Sequence, residues 1–317
     1  MRHFALIFAV GCLALSGPAA SQKKGGGKPP KDDPTAAGPA SIAYIAPGSR
    51  KTLQGLEVAD DAANGDTRLF EADIVANNVL HDIVKRSPSS GRALMTVQSE
   101  ERGQELIAVD FSIDPAGKAI ATGSRVLTVM PDWGCEALSE DGSIAIYSPY
   151  HDSKIYWRDA DGGPENVLWS GPPGEEPSDC ELNLAERTVH TVMVKNVNST
   201  VVSRLVRIDL DTNEVTTLID DSRNVRSFAL DPFSNAIAYD TNYDGGVWMR
   251  PNGTPSGEYR IATQGSNLDF FCEAGTHQRL LYAGREKNRF ALRVFDTVDR
   301  TDTAISTDRE RHPRTIC

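Results

Sequence analysis

The sequence predicts an all-β protein, a six-bladed β-propeller with four-stranded antiparallel blades. Three observations predict it. First, residues 133–171 hold three short apolar runs, Ile144–Tyr147, Lys154–Trp157 and Asn166–Trp169, preceded by a weaker one at Cys135–Leu138. Clusters rich in Asp, Gly, Pro and Ser separate them, as between antiparallel strands joined by hairpins. Second, the unit recurs: its second strand returns at intervals of roughly 43 to 52 residues, a period typical of propellers and arrays. Third, the first unit is one strand short, and the tail His312–Cys317 has the length of the missing strand. A C-terminal strand completing the first blade would remove an open seam.

The chain opens with Arg2 and His3, an apolar run from Phe4 to Leu15, and then Ser-Gly-Pro-Ala-Ala-Ser. A basic tip, a short apolar core and small residues describe an export signal over residues 1–20. Cys12, after Ala-Val-Gly, raises the alternative of a lipid anchor. Residues 21–40 are rich in Lys, Gly and Pro and hold nothing to bury. They predict a disordered linker, so the folded domain spans 41–317. The expected location is periplasmic or secreted.

The units follow in order. Ile42–Ile45, Leu53–Val58 and Thr67–Phe70 make the incomplete first one. The second runs from Ile74 through Asp82–Val84, Ala93–Val97 and Glu105–Val109 to Ala119–Ala121. The stretch 133–171 is the third. The fourth contains Cys180–Leu182, Thr188–Val194, Ser203–Ile208 and Val215–Ile219. The fifth contains Val225–Leu230, Ala236–Tyr239, Gly246–Met249 and Glu258–Ala262; the sixth contains Leu268–Cys272, Arg279–Ala283, Phe290–Phe295 and Thr303–Ser306.

The repeat is clearest at Leu138-Ser-Glu-Asp-Gly-Ser-Ile-Ala-Ile-Tyr-Ser148 and Ile155-Tyr-Trp-Arg-Asp-Ala-Asp-Gly-Gly163, with a fainter copy from Leu230 to Tyr239. These residues resemble the WD-like repeat of the TolB-like propeller family. The family's namesake carries an α/β domain before its propeller, where this sequence has only the tether. The resemblance implies a non-catalytic binding module with an envelope or secreted protein partner. Some relatives with this propeller are lyases on acidic sugars or accompany peptidase domains. A lyase or hydrolase on an acidic saccharide or peptide, with a site at the channel mouth, is therefore the alternative.

Without the leader, four cysteines remain, Cys135, Cys180, Cys272 and Cys317, an even number as in disulfide-bonded exported proteins. Three pairings are open. Cys135 and Cys180 begin neighbouring units, and so do Cys272 and Cys317 if the tail joins the first blade. The expectation is Cys135–Cys180 and Cys272–Cys317, against four buried thiols or a metal site. No close Cys-x-x-Cys pair of the zinc type is present.

Glu136, Glu181 and Glu273 each follow one of these cysteines. First strands line a propeller's channel, so these glutamates, with His81, Asp82 and His312, are candidate ligand-binding residues at the channel mouth. Such a ring suits a cation or a basic peptide and raises carboxyl pKa values by repulsion; solvated channel carboxylates are the plain alternative. Asp240, Asn242 and Asp244 have the alternating spacing that starts a calcium loop, but Pro251 stands where the closing glutamate belongs. The same residues suit a hairpin. Calcium is the one cofactor suggested, and otherwise none is expected.

The net charge of −11 excludes a grip on nucleic-acid phosphates, and no apolar stretch has the roughly twenty residues needed to cross a bilayer. The sequence holds no Gly-x-Ser-x-Gly elbow, no His-Glu-x-x-His and no phosphate-cradling glycine loop. No catalytic residue is assigned, and a monomer is expected.

Overall fold

The computed structural model describes residues 41–45, 55–60, 67–71, 79–87, 89–99, 103–113, 119–129, 134–231, 233–243, 245–271, 279–286, 289–307 and 311–315. Side chains are described from 79 onward, apart from 98, 99, 113, 119, 286, 289, 290, 306, 307 and 311–313. The expected leader and linker, Cys272, Glu273, Asp244 and Cys317 lie outside the described residues, as does the side chain of His312. Among the described residues no helix is long and apolar enough to cross a membrane.

Every described element is a strand. Blade A is β4 (Val79–Ser87), β5 (Ser90–Ser99), β6 (Gly103–Ile113) and β7 (Ala119–Val129). Blade B is β8 (Cys135–Leu138), β9 (Ile144–Ser148), β10 (Lys154–Asp159) and β11 (Asn166–Ser170). Blade C is β12 (Glu175–Asn183), β13 (Thr188–Val197), β14 (Thr200–Asp209) and β15 (Val215–Ile219). Blade D is β16 (Val225–Leu230), β17 (Ile237–Thr241), β18 (Val247–Arg250) and β19 (Tyr259–Ala262). Blade E is β20 (Gly265–Phe270), β21 (Arg279–Glu286), β22 (Arg289–Asp296) and β23 (Asp302–Thr307).

These five correct the expectation of six blades. Only five blades are built from four consecutive strands with described packing. The remaining four-stranded sheet is a composite of the two chain ends, in the order β24-β1-β2-β3. It joins β1 (Ser41–Ile45), β2 (Gly55–Asp60) and β3 (Thr67–Glu71) to β24 (Arg311–Thr315). The physical reason is that the N-terminal unit has only three strands, so its inner edge is covered by a segment distant in sequence. The β1–β24 pairing matches Ile42 with Thr315 and Ala43 with Arg314, then shifts register before Ile45 meets Arg311.

Neighbouring innermost strands pack on one another around the axis: β24 on β4, β4 on β8, β8 on β12, β12 on β16, β16 on β20, and β20 on β24. The apolar core lies between blades. Leu94, Leu106 and Ala108 of blade A meet Leu138, Ala145 and Tyr147 of blade B. Ile146, Ile155 and Trp169 of blade B meet Leu182, Val189 and Val206 of blade C. Val192 and Leu205 meet Phe228 and Tyr239 across the C–D seam, and Val247 and Met249 meet Phe270 and Leu280 across the D–E seam. Burying a Val, Leu or Phe side chain stabilises by roughly 1.5–3 kcal/mol, so blades B, C and D are held by packing on both faces. Of the tryptophans read as packing residues, Trp169 is buried and Trp157 packs against the same cluster; Trp133 lies outside the described residues.

Polar links reinforce the seams. Cys135 and Cys180 form a disulfide between β8 and β12, Cα atoms 4.9 Å apart. Arg92 is fully buried; it donates to Asp110 in its own blade and to Gly142 O and Asp161 in blade B, at 2.6–2.7 Å. Gly142 has φ of +67°, and a Cβ there would meet Val84 Cγ2 at 2.7 Å. A glycine is required for both reasons.

Candidate ligand site at the channel mouth

The site begins with irregularities in the inner strands. Register shifts occur in β4 between Leu80 and Asp82, in β12 between Ser178 and Cys180, and in β20 between Ser266 and Asp269. A bulge adds a residue, bends the strand and re-aims side chains. Asp179 and Asn267 sit at these bulges with φ of 55° and 53°, left-handed values that Asp and Asn tolerate better than most residues.

Each of these strands delivers an aspartate to its neighbour. Asp82 accepts from its own next amide, Ile83 N, and from Leu138 N of β8, both at 2.7 Å. Asp179 accepts from Phe228 N of β16 at 3.0 Å. Asp269 accepts from Thr315 N of β24 at 2.7 Å and from Thr315 Oγ1 at 3.1 Å. Alternate inner strands thus grip the next strand through a carboxylate.

Arg314 of β24 is the counter-cation shared by all three acids. Its guanidinium donates to His81 O at 2.6 Å and more weakly to Leu268 O at 3.4 Å. Burial outweighs it. Desolvation raises the Asp82 carboxyl above its ordinary range, against the Leu138 amide and Arg314. It carries Asp179 and Asp269 up to about 6, opposed by Arg314 and helped by repulsion from Asp82.

Glu136 and Glu181 follow the two bridged cysteines but differ in surroundings. Glu136 is buried; Oε1 accepts from Gly134 N at 2.9 Å, and Oε2 lies 3.2 Å from His81 Nδ1. Burial raises it to about 8; the Gly134 amide opposes this and repulsion from Asp179 adds to it. Glu181 is raised well above a normal glutamate by burial and then by Asp269, Asp82 and Asp179, although the Leu230 amide donates to it. Its Oε2 is buried without a hydrogen-bond partner among the described residues.

Glu181 lines a cavity of about 560 Å³. Asp82, Leu138, His190, Asp269 and Thr315 line it with Glu181. In blade C, Glu181 of β12 stands opposite His190 of β13, which stands opposite Arg207 of β14. Cross-strand partners share a face, so this row runs outward from the axis. Burial and then Arg207 lower His190 to about 4, leaving it neutral near pH 7.

The structure therefore brings Asp82 and Glu181 to the cavity and pairs His81 with Glu136 beside it. Asp179 and Asp269 were missed by the sequence reading. Each occupies the first strand of its blade, as Asp82 does, but their convergence depends on bulges that no residue pattern announced. Asp240 of the suggested calcium loop is fully buried and held by Arg226 and by Ser227 N and Oγ. Asn242 donates its amide to Asn224 O. A cation at this turn would have to displace Arg226. Among the described residues no three His, Cys, Asp or Glu side chains are grouped to hold a metal ion.

One hydroxyl–imidazole–carboxylate chain is present. His81 Nε2 lies 2.7 Å from Thr96 Oγ1, and its Nδ1 faces Glu136. Thr96 is 1% exposed and does not line the cavity, so no substrate carbonyl can reach the hydroxyl. The chain ties blade A to blade B. The cavity lining itself combines the acids Asp82, Glu181 and Asp269 with Arg207 and the neutral His190.

No protein-family model matches the sequence. No curated protein matches it either. Solved structures share the fold. TolB from Acinetobacter baumannii superposes with a TM-score of 0.63 at 16% identity, over 87% of this chain and 66% of its own length. The chain thus spans just under two thirds of that protein. A chain of the nidogen/laminin complex gives a TM-score of 0.58 at 11% identity, over 87% of this chain and 98% of the other. An oligogalacturonate lyase in complex with manganese gives 0.48 at 12% identity, over 85% and 74%. The chain is thus a β-propeller of TolB-like fold.

Proposed function

We propose that this chain is an exported, non-catalytic propeller that binds a protein partner with the face holding the acidic cavity. The observation that carries the reading is a ring of blades, joined by an interblade disulfide, with a cavity lined by the carboxylates of Asp82, Glu181 and Asp269. The leader-like residues 1–20 and the disulfide support export to an oxidising compartment. One of the similar folds was solved as part of a protein–protein complex, an argument from analogy. The alternative of an enzyme on an acidic saccharide fits less well, because such a substrate would meet Asp82, Glu181 and Asp269 at close range.

In-cell photo-crosslinking tests the reading. A photoreactive residue replaces Glu186 or Asn235 on the cavity rim, or exposed Val167 in blade B as the control. The expected result is one discrete protein adduct from the rim positions only, with the mature N-terminus following Ala20. Equal labelling from Val167, or retention of the leader in the cytoplasm, would overturn it.

A further inference from the structure

We propose that the cavity is a binding site for an alkylammonium group, with Glu181 Oε2 as the principal acceptor. The inference stands on the cavity's geometry; where the ammonium belongs to a lysine side chain, it deepens the partner reading above.

The argument is one of hydrogen-bond inventory. Glu181 Oε2 is a buried acceptor with no donor among the described residues, and leaving such a group unmet is costly. Its acidic neighbours Asp82 and Asp269 have their best acceptor directions already used, and Arg207, which also lines the cavity, stands two strands out, beyond His190. Asp82 spends both oxygens on the Ile83 and Leu138 amides, and Asp269 spends Oδ2 on Thr315. Arg314 donates to the carbonyls of His81 and Leu268. His190 is neutral and stands beside Glu181 on the next strand. The cavity is therefore rich in acceptors, and its missing partner is a donor carrying positive charge.

An ammonium has three donors and no acceptor, so it adds no unmet group of its own. A guanidinium needs five planar donors matched, and the region already holds two in Arg207 and Arg314. The volume, about 560 Å³, admits a short alkyl stem. Leu182, Leu230 and Phe270 supply apolar wall for it. The carboxylates concentrate cations at the mouth even where they do not touch them.

Titration calorimetry on the full chain tests this with three probes: n-pentylammonium, the neutral isostere n-pentanol, and a short peptide carrying one lysine or norleucine in its place. Saturable one-to-one binding of pentylammonium is expected, with pentanol weaker by roughly tenfold or more, as for loss of a charge-assisted hydrogen bond. Glu181→Gln should weaken the amine by a similar factor, and the surface control Glu214→Gln should not. Should Glu181→Gln fail to melt cooperatively, Asp269→Asn, which keeps an acceptor for Thr315, takes its place with the same expectation. If the lysine peptide binds well above the free amine and norleucine does not, the source is a protein; if the free amine binds as well, it is a small molecule. Either supports the site. Equal affinity for pentanol, no saturable binding, or an unchanged Glu181→Gln would overturn it. Rim crosslinking can succeed while the amine fails, so this failure is separable from that of the partner reading.

Discussion

Two Cys-Glu pairs, residues 135–136 and 180–181, are tied by one disulfide and meet opposite fates. Glu136 has a backbone amide on one oxygen and an imidazole on the other. Glu181 has the Leu230 amide and an unmet oxygen facing a cavity. The dipeptide places each glutamate at similar depth on an inner strand, but the neighbouring blade decides what it becomes. At Glu136 that neighbour is β4, whose bulge turns His81 toward it. At Glu181 the surroundings are Asp82, Asp179 and Asp269, all repulsive. One carboxyl is part of the frame, and the other is kept available.

The comparison can be broken most severely at the bridge that underlies it. Replacing Cys135 and Cys180 by serine should cost about 2–4 kcal/mol of stability, seen as a lower thermal midpoint under oxidising conditions. An unchanged midpoint would mean the two strands are held by packing alone. Next comes Asp82→Ala, which orphans the Leu138 amide beside Glu136. A loss of about 1–3 kcal/mol is expected by denaturant titration, with Asp82→Asn recovering part of it.

Acid–base behaviour sharpens the contrast. Glu136 holds its proton more tightly folded than unfolded, so the stability it contributes is full below pH 4.5 and is lost as pH rises through about 8. Asp179 and Asp269 act in the same direction between 3.8 and about 6. His190, lowered from 6.5 to about 4, has the opposite sign and loses its contribution as pH falls through that window. Above pH 6.5 the carboxyls prevail, and stability should decline with pH by up to about 1.4 kcal/mol per unit for one proton. Glu136→Gln should flatten that decline between pH 6.5 and 8; a variant with the wild-type slope would remove Glu136 from its cause. The smallest effect is expected for Glu181→Gln, within about 0.5 kcal/mol near neutrality, because Oε2 has no hydrogen bond among the described residues to lose. A loss of several kcal/mol would show that Glu181 is as structural as Glu136.

Much of the strand layout was legible because alternation and turn chemistry are local. Ile144–Ser148 and Thr188–Val197 alternate or run apolar between Asp, Gly and Asn clusters, and the strands fall there. Cys135 and Cys180 were legible as partners because they occupy the same phase of adjacent units. Five blades of four consecutive strands stand where six blades were expected; the pairing of the two chain ends in the remaining sheet was legible in the missing first-unit strand and the length of the tail. Of the axial aspartates Asp82 was legible, whereas Asp179 and Asp269 were not. One extra residue in a strand moves a side chain to the other face, and nothing in Ser-Asp-Cys or Asn-Leu-Asp declares that residue. Asp240 shows the converse: its spacing fitted an ion, while in the fold Arg226 donates to its Oδ2 and Ser227 to its Oδ1.

The position of Arg314 has a consequence for the order of assembly. Of the twenty-four described strands, β24 leaves the ribosome last. Asp82, Asp179 and Asp269 are all synthesised before the cation they share. A nascent wheel that drew its spokes together early would confine three like charges without relief. Their repulsion favours a hub held ajar until the closing segment arrives, so that a single late arginine sets the moment of completion.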